Sequence, residues 1–569
     1  MSLTTGALQI GRSALLSYQS ALQVVGNNLS NAGVEGYTRQ TAVLSPIPGV
    51  QLPEGFTPGA GVALTALRRN IDETLENRLR IALGNEAGTL VQQQMLGRIE
   101  GVMNELSESD LSTLLQAFFN AFSNVQNQPH EAGVRGMAIA YGGEVAAEIR
   151  RQRLEILALA DEINQDIVTT VGRADDICRE VGDLNVRIAA VESAGRGGAA
   201  ALRDQRDRLL RELGELIQIE VREQPNGGIY VYAGNEPLIQ DGLVRGLTTT
   251  QETQGGYTRT VVRFADNQSG VELRGGRIAG QVRARDELIF GQIERLNGLA
   301  RALIQEVNKV HASGQGLTGF TRLTGTFDVL DPAAVLNSAA AGLDLTPRNG
   351  SFLLTVRDAD TGLSQTSTIT VDLDGIGADE TLASLAAQIN AKAANVTAQV
   401  TADNRLQLTA TSGFEFTFAQ DSSNVLAALG LNTFFDGRDA QSLAVNAGLA
   451  ADVNRLAAAT RGAPGDGSNA AALAALATTA LAGLGGRSIN DYYNAIVSDV
   501  AVRGAAARAS SEAAGAIVLS LQSQRESISG VSLDEETINL LRMERAFQGA
   551  ARYVSTVDRL LEEVLTLVG

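Results

Sequence analysis

The chain has 569 residues and a formal net charge of -18 at pH 7. This length exceeds what one hydrophobic core usually organises, so roughly three or four domains are expected. The negative charge argues against nucleic-acid binding, because that affinity depends on clustered lysine and arginine side chains. The sequence shows neither a secretory signal at its start nor an apolar run long enough to insert into a membrane.

Side chains that usually carry catalysis are scarce, with one cysteine and two histidines. His130 and His311 belong to no metal-binding or catalytic motif, and His311 is expected to cap the end of a helix. Cys178 has no partner for an internal disulfide and lies in an apolar helical pattern, so we expect it to be buried. The sequence therefore predicts a protein that is not an enzyme, with no catalytic residue, no cofactor and no metal ion.

The N-terminal residues follow a seven-residue apolar repeat, which is typical of a coiled-coil seam. One column holds Leu8, Leu15, Leu22 and Leu29, and the column three positions further on holds Gly11, Tyr18 and Val25.

The C-terminal residues repeat in the same way. One column holds Leu540, Phe547, Val554, Leu561 and Val568, and its partner column holds Met543, Ala550, Val557 and Val564. Each seam needs a partner helix, so we predict that all these positions except Gly11 form an assembly interface, which orders when neighbouring copies cover it. Two amphipathic helices docked on a core are the alternative.

The segment between residues 45 and 61 contains four of the ten prolines and is expected to be an extended connector. Beyond it, helical periodicity resumes, and one long helix has a packing face made of two heptad columns. These columns hold Ile167, Ala174, Val181 and Ile188, and Ile163, Ile177, Leu184 and Val191. The predicted helices cover residues 69–106, 111–127, 131–192, 204–217 and 280–311.

Strand patterns occur in two places. Asn226, Gly227 and Gly228 predict the turn of a β-hairpin near residues 217–247. Residues 350–418 alternate with period two, around one short helix at 381–391, and residues 461–486 are expected to be a loose return to the helical region.

These patterns predict a mainly α fold with an inserted β domain, that is, a multidomain α+β protein. We expect three domains: a terminal coiled-coil domain, a helical rod domain and an outer β-rich domain. They cover residues 1–60 plus 525–569, residues 61–320 plus 487–524, and residues 321–486.

Both ends of the chain carry a recognisable signature. SALQVVGNNLSNAGVEGYTRQ, at residues 20–40, resembles the N-terminal signature shared by flagellar axial proteins, and its ending GYTRQ is closest to the hook-filament junction proteins. Residues 527–565, beginning SISGVSLDEE, resemble the C-terminus of the same proteins, as do two interior segments at 204–216 and 307–319. The signature residues are Asn27, Asn28, Asn31, Gly36, Tyr37, Arg39, Gln40, Gly530, Val531, Leu533, Asp534 and Glu535.

The C-terminal match includes one departure, since Glu544, Arg545 and Phe547 stand where Gln and Tyr are usual in the family, although the heptad is unchanged.

The resemblance implies a structural subunit of the bacterial flagellum, with its terminal helices paired as an inner domain, that forms a ring between hook and filament. It implies extracellular localisation after type III export without a cleaved signal peptide. The implied partners are further copies of the chain, the hook protein, the adjoining hook-associated protein 3, the flagellin filament, and an export chaperone at the C-terminal helix. Another axial protein, such as a hook protein or flagellin, remains the nearest alternative, followed by an exported adhesin or enzyme.

Overall fold

The computed structural model describes residues 3–34, 36–49, 59–103, 110–193, 198–240, 242–463 and 465–568. It is 56% helical with 18% strand in small sheets, which confirms the predicted mainly α fold with inserted β structure. Parts of two predicted segments, residues 50–58 of the extended connector and 194–197 after the long helix, lie outside the described residues.

Helices extend over most of the chain. They are α1 (Leu3–Ser30), α2 (Glu73–Met103), α3 (Leu111–Asn127), α4 (Ala132–Ser193), α5 (Ala200–Leu216), α6 (Gly276–Arg283), α7 (Phe290–Ala312), α8 (Leu382–Lys392), α9 (Val425–Ala428), α10 (Ala447–Ala451), α11 (Ser468–Ala475), α12 (Ile489–Ser529) and α13 (Leu533–Val568). A π-helical turn, Ala284–Ile289, joins α6 to α7.

The strands are short and antiparallel where they pair. They are β1 (Gln40–Pro46), β2 (Val62–Arg69), β3 (Ile219–Glu223), β4 (Ile229–Ala233), β5 (Glu236–Gln240), β6 (Leu243–Val244), β7 (Leu247–Gln254), β8 (Tyr257–Phe264), β9 (Arg322–Thr324), β10 (Gly350–Asp358), β11 (Ser364–Val371), β12 (Val396–Val400), β13 (Leu406–Ala410), β14 (Phe414–Ala419), β15 (Phe435–Asp436) and β16 (Ala444–Val445).

The chain divides into two compact units. Unit 1 contains Met1–Gln94, Glu162–Arg285 and Ala505–Gly569, and unit 2 contains Met95–Asp161 and Asp286–Gly504. The predicted boundaries of three domains stay a prediction.

The core of unit 1 forms on the predicted packing face of α4. Ile167, Ala174, Ile177 and Val181 are at most 1% exposed, and they pack with residues of α5 and of the strands β3 to β8. Cys178 is fully buried in the same cluster, as expected, and burial raises the pKa of its thiol above the usual range. Apolar residues spaced by three and four positions therefore bury one continuous stripe of the helix.

Two β-hairpins of unit 1 contribute to the core on α4. The predicted turn at Asn226 and Gly227 joins β3 to β4 in the sheet β3-β4-β5-β6, and Gly227 has a positive φ of 79°. The second hairpin, β7–β8, was not predicted, although Gly255 and Gly256 between its strands both have positive φ and form a recognisable turn signal.

The inserted β structure lies in unit 2. Its two three-stranded sheets have the orders β11-β10-β14 and β12-β13-β9, and α8 is preceded by Thr381, which caps it in a reciprocal pair with Ser384. The prediction of a loose segment over residues 461–486 is wrong. Helix α11 lies there with Ala470 and Leu473 fully buried, because its alanines and leucine make a small apolar face despite the glycines around it.

His311 lies at the end of α7 in unit 2 and is fully buried. Its Nδ1 lies 2.8 Å from the carbonyl oxygen of Asn432, and its Nε2 accepts a hydrogen bond of 3.0 Å from the backbone N–H of Ala457. The ring is therefore neutral, with the proton on Nδ1, and joins two loops to the helix as well as ending it. Burial lowers the pKa of His311 to about 4.

This lowered pKa predicts acid sensitivity. The His311 contribution to stability should be complete above about pH 6.5 and should be lost as the pH falls through about 4, because the unfolded chain binds the proton first. Between these limits, each pH unit should cost up to about 1.4 kcal/mol. Urea unfolding between pH 4 and 8 should show this loss in the native chain and in His130→Gln, an exposed control. An equally steep loss in His311→Gln would contradict the assignment.

The packing face of α4 predicts a second outcome. Ile177→Ala should lower the free energy of unfolding by about 2–5 kcal/mol, because Ile177 is fully buried and its loss leaves a cavity. Val186→Ala, on the same helix but 57% exposed, should change it by less than about 1 kcal/mol. Chemical denaturation of both variants tests this, and equal losses would mean that the face is misassigned.

Candidate assembly site: the terminal helix pair and its polar clasp

The two terminal helices pack against each other within unit 1. Gly11 of α1 lies against Tyr553 and Val554 of α13, whereas Asn28 of α1 is hydrogen-bonded to Glu536 of α13. Residue numbers therefore rise along one helix as they fall along the other, so the pair is antiparallel. Each helix finds its seam partner in its own chain, as the resemblance to axial proteins implied, whereas the argument from periodicity looked to neighbouring copies.

The C-terminal helix presents its predicted columns to this pair. Val557 is 8% exposed, while Val564 is 49% exposed, and the side chain of Val568 lies outside the described residues. The remaining predicted positions are partly buried: Leu540, Met543, Phe547, Ala550, Val554 and Leu561.

The N-terminal helix packs with only part of the face that was expected, namely the column that contains Gly11 and Val25. Ala21 and Val25 are 1% and 8% exposed, and Gly11 is also buried. The predicted column of Leu8, Leu15, Leu22 and Leu29, and Tyr18, are only partly buried. Small side chains allow the backbones to approach, so the deepest contact forms on the column of Ala21 and Asn28, and the leucines flank it.

A β-hairpin supports α1 from another side. Strands β1 and β2 pair in antiparallel register from Gln40↔Arg69 to Pro46↔Val62. The hydroxyl of Ser17, which is 5% exposed, donates a hydrogen bond of 3.0 Å to the carbonyl oxygen of Val62. The sequence predicted only an extended connector after residue 45, and missed that strand pairing begins within the signature itself.

Asn28 is the centre of a buried hydrogen-bond network. Its Nδ2 donates to the carbonyl oxygen of Gln40 at 2.8 Å and to Oε2 of Glu536 at 3.0 Å. Its Oδ1 accepts from the backbone N–H of Gln40 at 3.0 Å and from the Tyr37 hydroxyl at 2.8 Å. Asn28 is 0% exposed, and its amide uses both donors and both acceptor positions. One side chain thus joins the end of α1, the start of β1 and the start of α13.

Arg39 adds ion pairs with Glu535 and Glu536 to this network. Its Nε donates to Oε1 of Glu536 at 2.9 Å, and its Nη1 donates to Oε2 of Glu535 at 2.7 Å. Its backbone N–H also donates to the carbonyl oxygen of Ser529, the last residue of α12. We call Asn28, Tyr37, Arg39, Gln40, Glu535 and Glu536 the clasp.

A second group of charges surrounds the clasp. Arg69 pairs with Asp204 and Asp207, while Glu76 accepts from Arg211 at 3.1 Å and from Arg525 at 2.7 Å. Asp204 and Arg211 belong to the interior segment 204–216 that the sequence analysis singled out.

Tyr37 connects the clasp to these charges. Burial raises its pKa to about 12, with the charges of Asp204 and Glu536 adding to the effect. The phenol is therefore a hydrogen-bond donor at neutral pH, as its bond to Asn28 requires.

The structure brings together most of the predicted signature. Asn27 donates to the Tyr37 hydroxyl at 3.2 Å, Asn31 donates to Asn27, and Gly36 has a positive φ of 81° in the turn after α1. Gly530 lies at the break between α12 and α13, with Val531 partly buried beside it. Leu533 and Asp534 are exposed and lie outside the clasp.

Sequence reasoning missed Glu536. Three acidic residues at 534–536 are ordinary for the start of a helix, but Glu536 is 1% exposed and bonded to Arg39 and Asn28. A signal was available, since Glu536 precedes Met543 by seven residues and therefore continues a heptad column with a polar side chain. Glu76 and Arg525 carried no comparable signal.

Other chemistry is sparse among the residues that the structure describes. Asp372, Asp374 and Asp379 place carboxylate oxygens within 4.8 Å of one another, in a largely exposed group. Within the described ranges no helix combines the length and apolar character needed to cross a membrane. The predictions of no metal, no cofactor and no catalytic residue stay predictions.

Comparison with known proteins shows similarity along the whole chain. A family model named flagellar hook-associated protein FlgK helical domain matches residues 96–326. Models named flagella basal body rod protein and flagellar basal body rod FlgEFG protein C-terminal match residues 8–38 and 522–567.

Full-length relatives agree with these matches. The flagellar hook-associated protein 1 of Escherichia coli K12 is 26% identical over 98% of both chains, and that of Bacillus subtilis 168 is 23% identical over 100% of this chain and 99% of its own. A solved structure, the flagellar hook junction protein FlgK from Burkholderia pseudomallei, shares the fold with a TM-score of 0.52 at 14% identity, covering 80% of this chain and all of that one.

The clasped terminal helices, with rod-protein matches at both ends, define an axial protein of the bacterial flagellum. The helical-domain match and the full-length relatives narrow this class. The chain is similar to flagellar hook-associated protein 1 over its full length, and these matches support a structural subunit of the hook-filament junction.

The close approach at Gly11 predicts a selective effect of adding one methyl group. Gly11→Ala should destabilise the helix pair, because a Cβ there meets Val554 and Tyr553. Gly26→Ala on the same helix should be neutral or stabilising by up to about 1 kcal/mol, because that position is open. Hydrogen exchange of α1 amides measures both effects, and faster exchange in Gly26→Ala alone would refute the packing.

The clasp predicts unequal roles for two adjacent glutamates. Glu536→Ala should cost about 3–5 kcal/mol, because it leaves Arg39 and Asn28 partly unpaired in a buried site. Glu535→Ala should cost less than about 1 kcal/mol, because the Glu535 side chain is 61% exposed. Limited proteolysis of the terminal helices, with thermal unfolding of each variant, checks the difference. Equal losses of stability in the two variants would show that the buried pair of Arg39 and Glu536 contributes no more than the exposed pair of Arg39 and Glu535.

Proposed function

We propose that the chain assembles into the junction ring through α1 and α13, with the predicted interface residues and the exposed apolar side chains beside them contacting neighbouring subunits. The neighbours in this proposal are further copies of the chain, the hook protein on one side, and hook-associated protein 3 and the filament on the other. An export chaperone holds the C-terminal helix before assembly, and the chain leaves the cell without signal cleavage.

The observation that carries this proposal is a partly exposed apolar stripe on α13. Tyr553, Leu560 and Val564 are 42%, 55% and 49% exposed. At 100° per residue, they lie on one flank of the seam that contacts α1. Large apolar side chains in such a row favour burial against another protein surface, at about 1.5–3 kcal/mol for each side chain that becomes fully buried.

The clasp has a mechanical role in this proposal. It joins α1, β1, the end of α12 and the start of α13 through Asn28 and Arg39. Strain applied to either terminal helix therefore reaches the same buried group. A subunit that passes torque needs such a fixed joint, because a flexible one would absorb the rotation.

We retain the three-domain division as part of the proposal, with residues 321–486 as the outer domain. Residues between Ala312 and Leu431 share one hydrophobic cluster, which includes Phe352, Leu408 and Phe416. A separate core of this kind is what an inserted domain requires.

Two charge substitutions on the same helix test the interface. Leu560→Asp should abolish assembly into the junction, and with it motility, because it places a carboxylate in the apolar stripe. Ser555→Asp adds the same charge at another exposed position of α13 and should preserve both. Complementation of a strain that lacks its own junction protein, with purification of hooks, measures incorporation.

Thermal unfolding of both purified variants serves as the control, since neither change should lower the melting temperature of the free subunit. Normal incorporation of Leu560→Asp would reject the interface. Failure of both variants would show that α13 tolerates no added charge, and would leave the stripe without support.

A further inference from the structure

Unit 1 contains a polar cavity of about 310 Å³, separate from the assembly stripe. Its wall is formed by the last residue of β2, by α2, α5 and β3, and by the first residue of β4. Four arginines line it, namely Arg69, Arg80, Arg203 and Arg206, together with Glu73, Glu76, Asp207 and Glu223. By formal charge the lining is balanced, so its preference for a ligand depends on which of these charges are already paired.

Three of the four carboxylates are paired with arginines. Asp207 binds Arg69, Glu223 accepts from Arg203 at 2.6 Å, and Glu76 accepts from Arg211 and Arg525. The fourth, Glu73, is hydrogen-bonded to Glu223, and this bond together with burial raises the pKa of Glu73. A carboxyl group that shares a proton with another one contributes less negative charge to the cavity.

Arg80 is the exception among the arginines. It is 8% exposed, its Nε is buried without a hydrogen-bond partner, and among the described residues no carboxylate makes an ion-pair contact with it, although Glu76, Asp207 and Glu73 act on it at longer range. Its Cβ lies close to Gly214 of α5, and its side chain lines the cavity. Because arginine stays protonated in proteins, this leaves a buried cation without a contacting counter-ion.

Arg206 lies in the same wall and is 2% exposed. Its Nη1 donates to Asn185 at 3.1 Å and to the carbonyl oxygen of Gly227 at 2.8 Å, which fixes the guanidinium plane. Its Nε, like that of Arg80, is buried without a partner. The cavity therefore offers two buried guanidinium groups with unused donors, one held rigidly and the other unpaired.

We propose that this cavity is a binding site for a small oxyanion of the sulfate or phosphate type, held by Arg80 and Arg206. Guanidinium donors match the oxygen spacing of tetrahedral oxyanions, and charge-assisted bonds of this kind are about twice as strong as neutral ones. The volume accommodates such an ion with several waters. The bound ion would join α2 to α5 and to the β3–β4 hairpin, at the start of the helical region.

Sulfate is the probe, because its charge is constant near neutral pH. Sodium sulfate should raise the melting temperature of the full chain with a saturable dependence, beyond the effect of sodium chloride at equal ionic strength. Arg80→Met should weaken this saturable binding at least about tenfold. Arg80→Lys should weaken it less, because lysine keeps the positive charge but lacks the paired N–H donors of the guanidinium group. Isothermal titration calorimetry provides the affinities.

Two further variants sharpen the test. Arg222→Met removes an exposed arginine of β3 outside the cavity lining and should bind sulfate like the native chain. Glu73→Gln should bind sulfate at least as tightly as the native chain, because it removes a carboxyl group from the lining without removing a cation. Absence of a saturable response in the native chain, or an equal response in Arg80→Met, would overturn the proposal and show that the cavity holds only water.

Discussion

A buried carboxylate, Glu536, and the two groups that compensate it hold the ends of this chain together. Removing a carboxylate from water costs several kcal/mol, and only a contacting cation with further hydrogen bonds offsets that cost. Arg39 supplies the cation, and Asn28 supplies the hydrogen bond. Because these groups come from the start of α13, the segment after α1 and α1 itself, the helix pair, β1 and the α12–α13 break depend on one arrangement.

The same arrangement explains why the signature is polar. An apolar layer at this end of the seam would bury well but would accept many rotations and shifts of one helix against the other. An asparagine that uses both donors and both acceptor positions accepts only one arrangement. We therefore interpret the clasp as fixing register, a role for which single polar residues in coiled-coil seams are well known.

Sequence periodicity predicted where helices form better than which face they use. The bounds of α3 follow from its apolar spacing and its cap at Asp110, and those of α8 from Thr381. In α1 the predicted seam positions Gly11 and Val25 are buried, but the leucine column is only partly buried, because close packing favours Ala21 and Asn28 of the neighbouring column. Glu76 and Arg525 could not be predicted, since their pairing depends on residues about 450 positions apart in the chain.

The partial burial of the leucine column of α1 has a consequence for assembly. Small residues such as Gly11 and Ala21 let α13 approach α1 closely within one chain, so the leucines of α1 and the stripe of Tyr553 and Leu560 remain at the flanks. A sequence that used its largest apolar residues for the internal contact would have little left for neighbours. Here the internal contact relies on close approach and the clasp, and much of the large apolar surface stays available for other subunits. Register within the subunit and attachment between subunits are thus assigned to different residues of the same two helices.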